Sequence, residues 1–279
     1  MKKVIVILLA AALLLSVVGC KKAENKKLTV AMSPDFAPME FVDTSKTGQE
    51  QYVGFDVTLA NFLADELGME LEIKPMSFDA CMTAVQLGSV DMAISGFSWK
   101  PDRAENFLLS DYYIAGDNET QQSVITVKAK ENTCKTQADF SGWKVGAQAS
   151  SLQEQLVKDE LIPAGAELVV YKSIDDAVLA LQTGKIDALA VAHGNGEAII
   201  ANNPDLAFTG FDFDVDPKYE NNVILLNKNS TEMLEKVNQV LAKAMAAGVY
   251  DGWYEDAKAL AGIPTAADVS YDDDGKPVS

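Results

Sequence analysis

Ser77-Phe-Asp-Ala-Cys-Met-Thr-Ala-Val-Gln-Leu-Gly-Ser-Val-Asp-Met-Ala-Ile-Ser-Gly96 returns 96 residues later as Ser173-Ile-Asp-Asp-Ala-Val-Leu-Ala-Leu-Gln-Thr-Gly-Lys-Ile-Asp-Ala-Leu-Ala-Val-Ala192, without a gap. Ser77/Ser173, Asp79/Asp175, Ala84/Ala180, Gln86/Gln182, Gly88/Gly184 and Asp91/Asp187 are identical. Each copy predicts a capped helix of about ten residues that Gly88 or Gly184 ends. A short apolar strand follows, Met92 to Ser95 or Ala188 to Val191. An apolar strand precedes each copy, Leu28 to Met32 and Trp143 to Ala147, and helical patterns follow those at Phe55 to Leu67 and Leu152 to Lys158. Strands alternating with helices predict an α/β fold: two lobes, each a mostly parallel sheet flanked by helices. A last long helix is expected from Thr231 to Ala247, stopped by Gly248.

Ligands of open parallel sheets bind beyond the carboxyl ends of the strands. Those ends are Gly96-Phe97-Ser98 in one copy and Ala192-His193-Gly194 in the other, which points to one cleft between two lobes. The chain has 23 Lys and Arg together, yet Arg103 is its single arginine and His193 its single histidine. Arg offers a planar fork that grips a carboxylate with two parallel hydrogen bonds, which Lys does poorly. Both residues fall near equivalent strand ends. Ser150 and Ser151 precede a helix whose N-terminal amides favour an anion.

The N-terminus is Met1-Lys2-Lys3 followed by an apolar run to Val18 and then Gly19-Cys20. The run is short for a membrane span and reads as a secretory leader, residues 1–19. A Cys directly after the small residue predicts a lipoprotein leader, with Cys20 carrying lipid; an ordinary signal peptide is the alternative. Residues 20–27 form a lysine-rich tether suited to an anionic membrane surface. Cleavage takes two lysines and no acid from a formal net charge of −18, leaving −20. So acidic a body excludes a nucleic-acid partner and suits an extracytoplasmic protein. Cys81 and Cys134 form no disulfide framework or zinc pattern, and neither a disulfide nor a metal is expected. Asp272-Asp273-Asp274 reads as a solvated run in an acidic C-terminal tail, residues 263–279.

Ser95-Gly-Phe-Ser-Trp-Lys-Pro-Asp-Arg103-Ala-Glu-Asn-Phe-Leu-Leu-Ser110-Asp-Tyr-Tyr113 resembles the arginine-bearing signature of the extracellular solute-binding proteins of family 3, which deliver amino acids to ABC importers. Leu28-Thr-Val-Ala-Met, Phe36-Ala-Pro-Met-Glu-Phe41, Gly54-Phe-Asp-Val57 and Val145-Gly146 resemble further family motifs in the same order. The resemblance covers roughly residues 28–262. It implies a type II periplasmic-binding-protein-like fold whose two lobes close by a hinge. The first lobe would take residues 28–114 and 215–262 and the second 115–214, with crossings near Ile114 and Asp214.

By resemblance, Arg103 grips the ligand carboxylate and Gly96 and Ser98 touch carboxylate or ammonium. Phe36 and Phe78 sandwich the side chain, and Ser150, Ser151 and Leu152 contribute from the second lobe. Ser33, Phe97, Ala192 and His193 complete the candidate set. The family's ammonium-binding acid is replaced by Ala192, and the often acidic loop position is Ser33. Either Glu197, Glu220, Asp35 or carbonyl groups hold an ammonium, or the ligand is a carboxylate without one, with His193, Asn195 and Glu197 as substitute polar contacts. The implied partners are a permease and ATPase complex, the membrane through the lipid, and a small carboxylate bound by a monomer without cofactor. A sensor ectodomain and a cyclohexadienyl dehydratase-like enzyme are the alternatives; no nucleophile elbow or metal-ligand spacing supports catalysis.

Overall fold

A computed structural model describes residues 26–113, 121–219 and 221–265, together with a backbone hairpin of residues 270–271 and 277–278. The chain opens with β1 (Lys27–Met32), then β2 (Asp35–Phe36), β3 (Glu40–Val42) and β4 (Tyr52–Val53). Helix α1 (Phe55–Leu67), β5 (Glu70–Pro75), α2 (Phe78–Leu87), β6 (Met92–Ala93), α3 (Pro101–Asn106) and β7 (Leu108–Leu109) follow. Next come β8 (Gln122–Val127), β9 (Lys144–Gln148) and α4 (Leu152–Leu156), which runs on into a π turn over Val157–Leu161. The second repeat supplies β10 (Glu167–Tyr171), α5 (Ile174–Gln182) and β11 (Ala188–Ala192). Helix α6 (His193–Asn202), β12 (Leu206–Asp212), β13 (Leu225–Leu226), α7 (Thr231–Ala247) and α8 (Tyr250–Leu260) close the body.

The strands assemble into two five-stranded sheets of the same plan, β5-β1-β6-β13-β7 and β10-β9-β11-β8-β12. In each, the three strands around the repeat run parallel, the fourth is antiparallel to them, and the fifth pairs antiparallel with the fourth and so runs with the first three. Four of the five strands in each sheet therefore run one way, which fits the expected mostly parallel sheets, and a single antiparallel strand is inserted in each. The antiparallel members lie outside the repeat: β13 returns from the far end of the chain, and β8 enters before it. The repeat predicts only the strands joined by its own right-handed helical crossovers.

The identical Asp of the two copies has one structural task. Asp91 Oδ2 accepts from the Thr29 amide at 2.7 Å, and Asp187 Oδ2 from the Lys144 amide at 3.0 Å. Each carboxylate thus secures the start of the central parallel strand. The conserved glycine pair also has one cause: Gly88 and Gly184 sit at φ 67° and 70°, the left-handed region that ends a helix.

The first lobe's core lies between α1, α7, α8 and the sheet. Phe55 sits at 0% exposure with Tyr113, Tyr250, Trp253 and Tyr254 ring to ring around it. Phe140, Phe211 and Phe213 anchor the second lobe's core. Cys81 and Cys134 are buried in separate clusters, one per lobe. The Tyr113 amide donates to the Asn222 carbonyl at 3.1 Å, joining the ends of the two connecting segments. The expected crossing near Ile114 lies outside the described residues, as do Cys20, Glu220 and Asp272 to Asp274.

Two boundaries differ from expectation. Lys27, assigned to the tether, begins β1 opposite Glu70. Ile263, assigned to the tail, is buried beside Ala198 and Ala261. Burying one more aliphatic side chain favours extending the body by about 1.5–3 kcal/mol. Within the expected acidic tail, residues 270–271 pair with 277–278. No helix among the described residues is long and apolar enough to cross a membrane.

Candidate binding cleft between the lobes

The carboxyl ends of β6, β9 and β11 meet at a narrow cavity of about 30 Å³. Lobe contacts close it. Arg103 Nη2 donates to the Ser150 carbonyl at 3.0 Å, and Asn195 Nδ2 to the Ala37 carbonyl at 2.8 Å. Asn202 Nδ2 donates to the Ala261 carbonyl at 3.1 Å, and the Ile174 amide to Asp35 Oδ2 at 2.8 Å.

Arg103 is 2% exposed and lines the cavity. Pro101 opens its short helix, and the Phe107 amide closes it onto the Arg103 carbonyl. Nη1 donates to the Ser98 carbonyl, and the guanidinium lies over the Phe97 and Phe78 rings, 5.3 and 5.6 Å from their centroids. Burial pulls its pKa down to about 10, so it stays charged at neutral pH. Among the described residues no carboxylate lies within ion-pair distance of it. Two carbonyl oxygens and two rings therefore orient a desolvated cation at the cavity wall without neutralising it. That arrangement suits an incoming anion.

Phe36, Phe78, Gly96, Ser98, Ser151, Leu152 and Ala192 line the cavity with Arg103. Gly96 has φ 55°, and a Cβ there would stand 2.5 Å from Phe36 Cε1, so the ring packs directly on the glycine backbone. Four other candidates point elsewhere. Phe97 is fully buried under Arg103, stacked on Phe78 at 4.5 Å. His193 stacks on Phe208 and bonds through Nδ1 to Ser123 Oγ, away from the cavity. Ser150 offers only its carbonyl to Arg103, and Ser33 donates its hydroxyl to Asp35.

Sequence reasoning placed Asn195 beside the gap at Ala192 but missed the other carboxamides. Gln122, Gln148, Gln153 and Asn195 line the second lobe's side of the cavity, and Asn222 stands at the hinge. They belong to no motif. The clue was positional: Gln148 ends β9 and Asn195 lies three residues past β11, both at carboxyl ends of strands.

Behind Gly96 lies a pair of fully buried carboxyls. Asp56 Oδ2 accepts from the Gly96 amide at 2.8 Å and from Tyr113 Oη at 3.1 Å. Glu40 Oε1 accepts from Ser95 Oγ. Burial and the Asp56 charge push Glu40 well above the carboxylate range, and burial raises Asp56 to about 7. Two like charges in a dry site repel, so the Asp56 charge adds to burial in raising Glu40.

The model of the bacterial extracellular solute-binding proteins, family 3, matches residues 28–256. The arginine-binding extracellular protein ArtP of Bacillus subtilis is 29% identical over 248 residues, covering 86% of this chain and 92% of its own. A probable histidine-binding protein of Campylobacter jejuni is 28% identical, covering 83% of this chain and 93% of its own. Among solved structures, the substrate-binding protein AbpA of Streptococcus pneumoniae, bound to L-arginine, superposes with a TM-score of 0.76 at 36% identity. That match covers 86% of this chain and 97% of AbpA. With this fold, this cleft and a family match across nearly the whole described body, the chain belongs to the bacterial extracellular solute-binding proteins of family 3.

Proposed function

We propose that this protein is the solute receptor of an ABC importer and captures a small carboxylate, an amino acid or a derivative of one, by closing two lobes on it. One observation carries the reading: Arg103 is buried, oriented and charged at the cavity wall, with no carboxylate among the described residues to pair with. Relatives that bind arginine or histidine, such as ArtP, support the amino-acid class. A desolvated guanidinium holding a carboxylate by charge-assisted bonds gives affinity, and the interlobe bonds couple capture to closure. Gly96, Ser98 and Ser151 frame the carboxylate, while Phe36 and Phe78 pack on the remainder of the ligand. The protein is a monomer held to the outer face of the membrane by lipid on Cys20. It delivers its solute to a permease and ATPase complex and catalyses nothing itself.

Arg103→Lys tests this. Lys keeps the charge but loses the fork, and breaking a buried charge pair costs about 2–5 kcal/mol. Calorimetry with the common amino acids and their deaminated and N-acetyl analogues reads the change. The best-bound compound should weaken by that amount, and unaltered binding would overturn the site.

A further inference from the structure

The cleft's charge inventory narrows the ligand. Arg103 is the one ionised side chain among the described residues lining the cavity. The opposite wall is the apolar end of β11, Leu189 to Ala192, and the carboxamides of Gln122, Gln148 and Gln153. Two helices of ordinary length, α5 and α6, begin at this wall, so their N-terminal amides add positive potential.

Among the described residues no nearby acid is placed to answer a cation. Asp35 spends Oδ1 on the Ser33 hydroxyl and Oδ2 on the Ile174 amide, and the Gln148 amide approaches both oxygens. Glu40 and Asp56 lie behind the Gly96 backbone and do not reach the cavity. Glu197 faces His193 at 4.0 Å, and neither residue lines the cavity. Asp175 is exposed on α5. A free amino acid would bring an ammonium into a site that already holds an unneutralised guanidinium. A buried ammonium needs a counter-charge, which this lining lacks. A carboxylate whose other polar groups are neutral meets no such cost, and carboxamide oxygens accept from an amide N–H.

Building on the reading of this cleft as a carboxylate receptor, we infer that it selects small carboxylic acids without a cationic group, such as N-acylated or deaminated amino acids, over free amino acids. Ala192 and Gln148 are the residues that set this preference.

The test is calorimetry on the chain from Lys21 onward, unfolded and refolded to strip carried ligand. Each common L-amino acid is compared with its N-acetyl and its deaminated counterpart. The expected result is at least tenfold tighter binding of one ammonium-free acid than of the free amino acid with the same side chain. Ala192→Asp should then narrow that ratio at least tenfold. Gln148→Glu, at a separate wall position, should move it the same way and covers a failure of the first variant to fold. A free amino acid bound as tightly as its analogues overturns the selectivity and leaves the carboxylate receptor standing. Heat from none of the acids, or binding indifferent to Arg103→Lys, overturns the receptor reading and this inference with it.

Discussion

The Ile174 amide, first residue of a second-lobe helix, donates to Oδ2 of Asp35 in the first lobe at 2.8 Å. This bond exists only while the lobes are together. It joins a carboxylate to a helix N-terminus, the polarity that favours an anion. Burial raises the Asp35 pKa above its ordinary value, with the Ile174, Ser33 and Ser173 bonds opposing the shift. Asp35→Ala should therefore loosen closure. A hydrogen bond to a charged group contributes about 1.5–3 kcal/mol, so ligand dissociation should accelerate by roughly ten- to a hundredfold. Stopped-flow release of the bound acid measures this, and an unchanged rate would remove Asp35 from the closing mechanism.

Gly96→Ala and Gly88→Ala form a matched pair. Both glycines have positive φ, so both substitutions incur backbone strain of about 1–2 kcal/mol. Only at Gly96 does the new methyl meet a ring, Phe36, at 2.5 Å; at Gly88 nothing lies within 4 Å. Gly88→Ala should lower the melting temperature and spare binding. Gly96→Ala should lower the melting temperature as well and weaken the ligand at least tenfold, by about 1.4 kcal/mol or more. Equal binding by the two variants would show that Phe36 does not press on the site.

The Glu40–Asp56 pair makes stability depend on pH. Asp56 titrates near 7 in the folded protein, against 3.8 when unhindered, chiefly because it is buried. Between those values the folded state holds a proton that the unfolded state has lost. Stability from this group is complete below about pH 4 and declines as the pH rises through 7. Thermal melts from pH 4 to 8 should show a decline that is shallower in Asp56→Asn. Parallel curves for the two proteins would show that Asp56 does not carry the dependence.

Asp91 and Asp187 occupy equivalent repeat positions but should differ in cost. Asp91 accepts from the Thr29 amide at 2.7 Å and the Thr29 hydroxyl at 2.6 Å. Asp187 serves the Lys144 amide and the half-exposed Lys130. Asp91→Ala should cost about 2–4 kcal/mol, and Asp187→Ala less, because solvent screens part of its interactions. Urea melts of both variants give the comparison, and a larger loss at Asp187 would reverse this ranking.

The repeat made the helices and parallel strands of both lobes legible, because local periodicity and capping act within about 20 residues. The antiparallel partners β8 and β13 were not legible. Their place in the sheets depends on pairings across the chain, such as Leu225 with Ala93. Arg103 stood out as a lone arginine and does line the cavity. His193 stood out for the same reason but turns into α6 and stacks on Phe208, because a strand end offers each successive side chain a different face. Gln122 and Gln153 bond each other at 2.5 Å, a partnership between two unremarkable residues that only the folded chain creates.

Helix α6 is fastened to the opposite lobe near both ends, through Asn195 to Ala37 and through Asn202 to Ala261. Its ten residues therefore act as a strut along the rim of the molecule, and separating the lobes breaks both attachments together. A membrane complex that gripped both lobes at once would thus read a yes-or-no signal. The distance between its two footholds would report whether a parcel is aboard, with no need for the complex to touch the parcel itself.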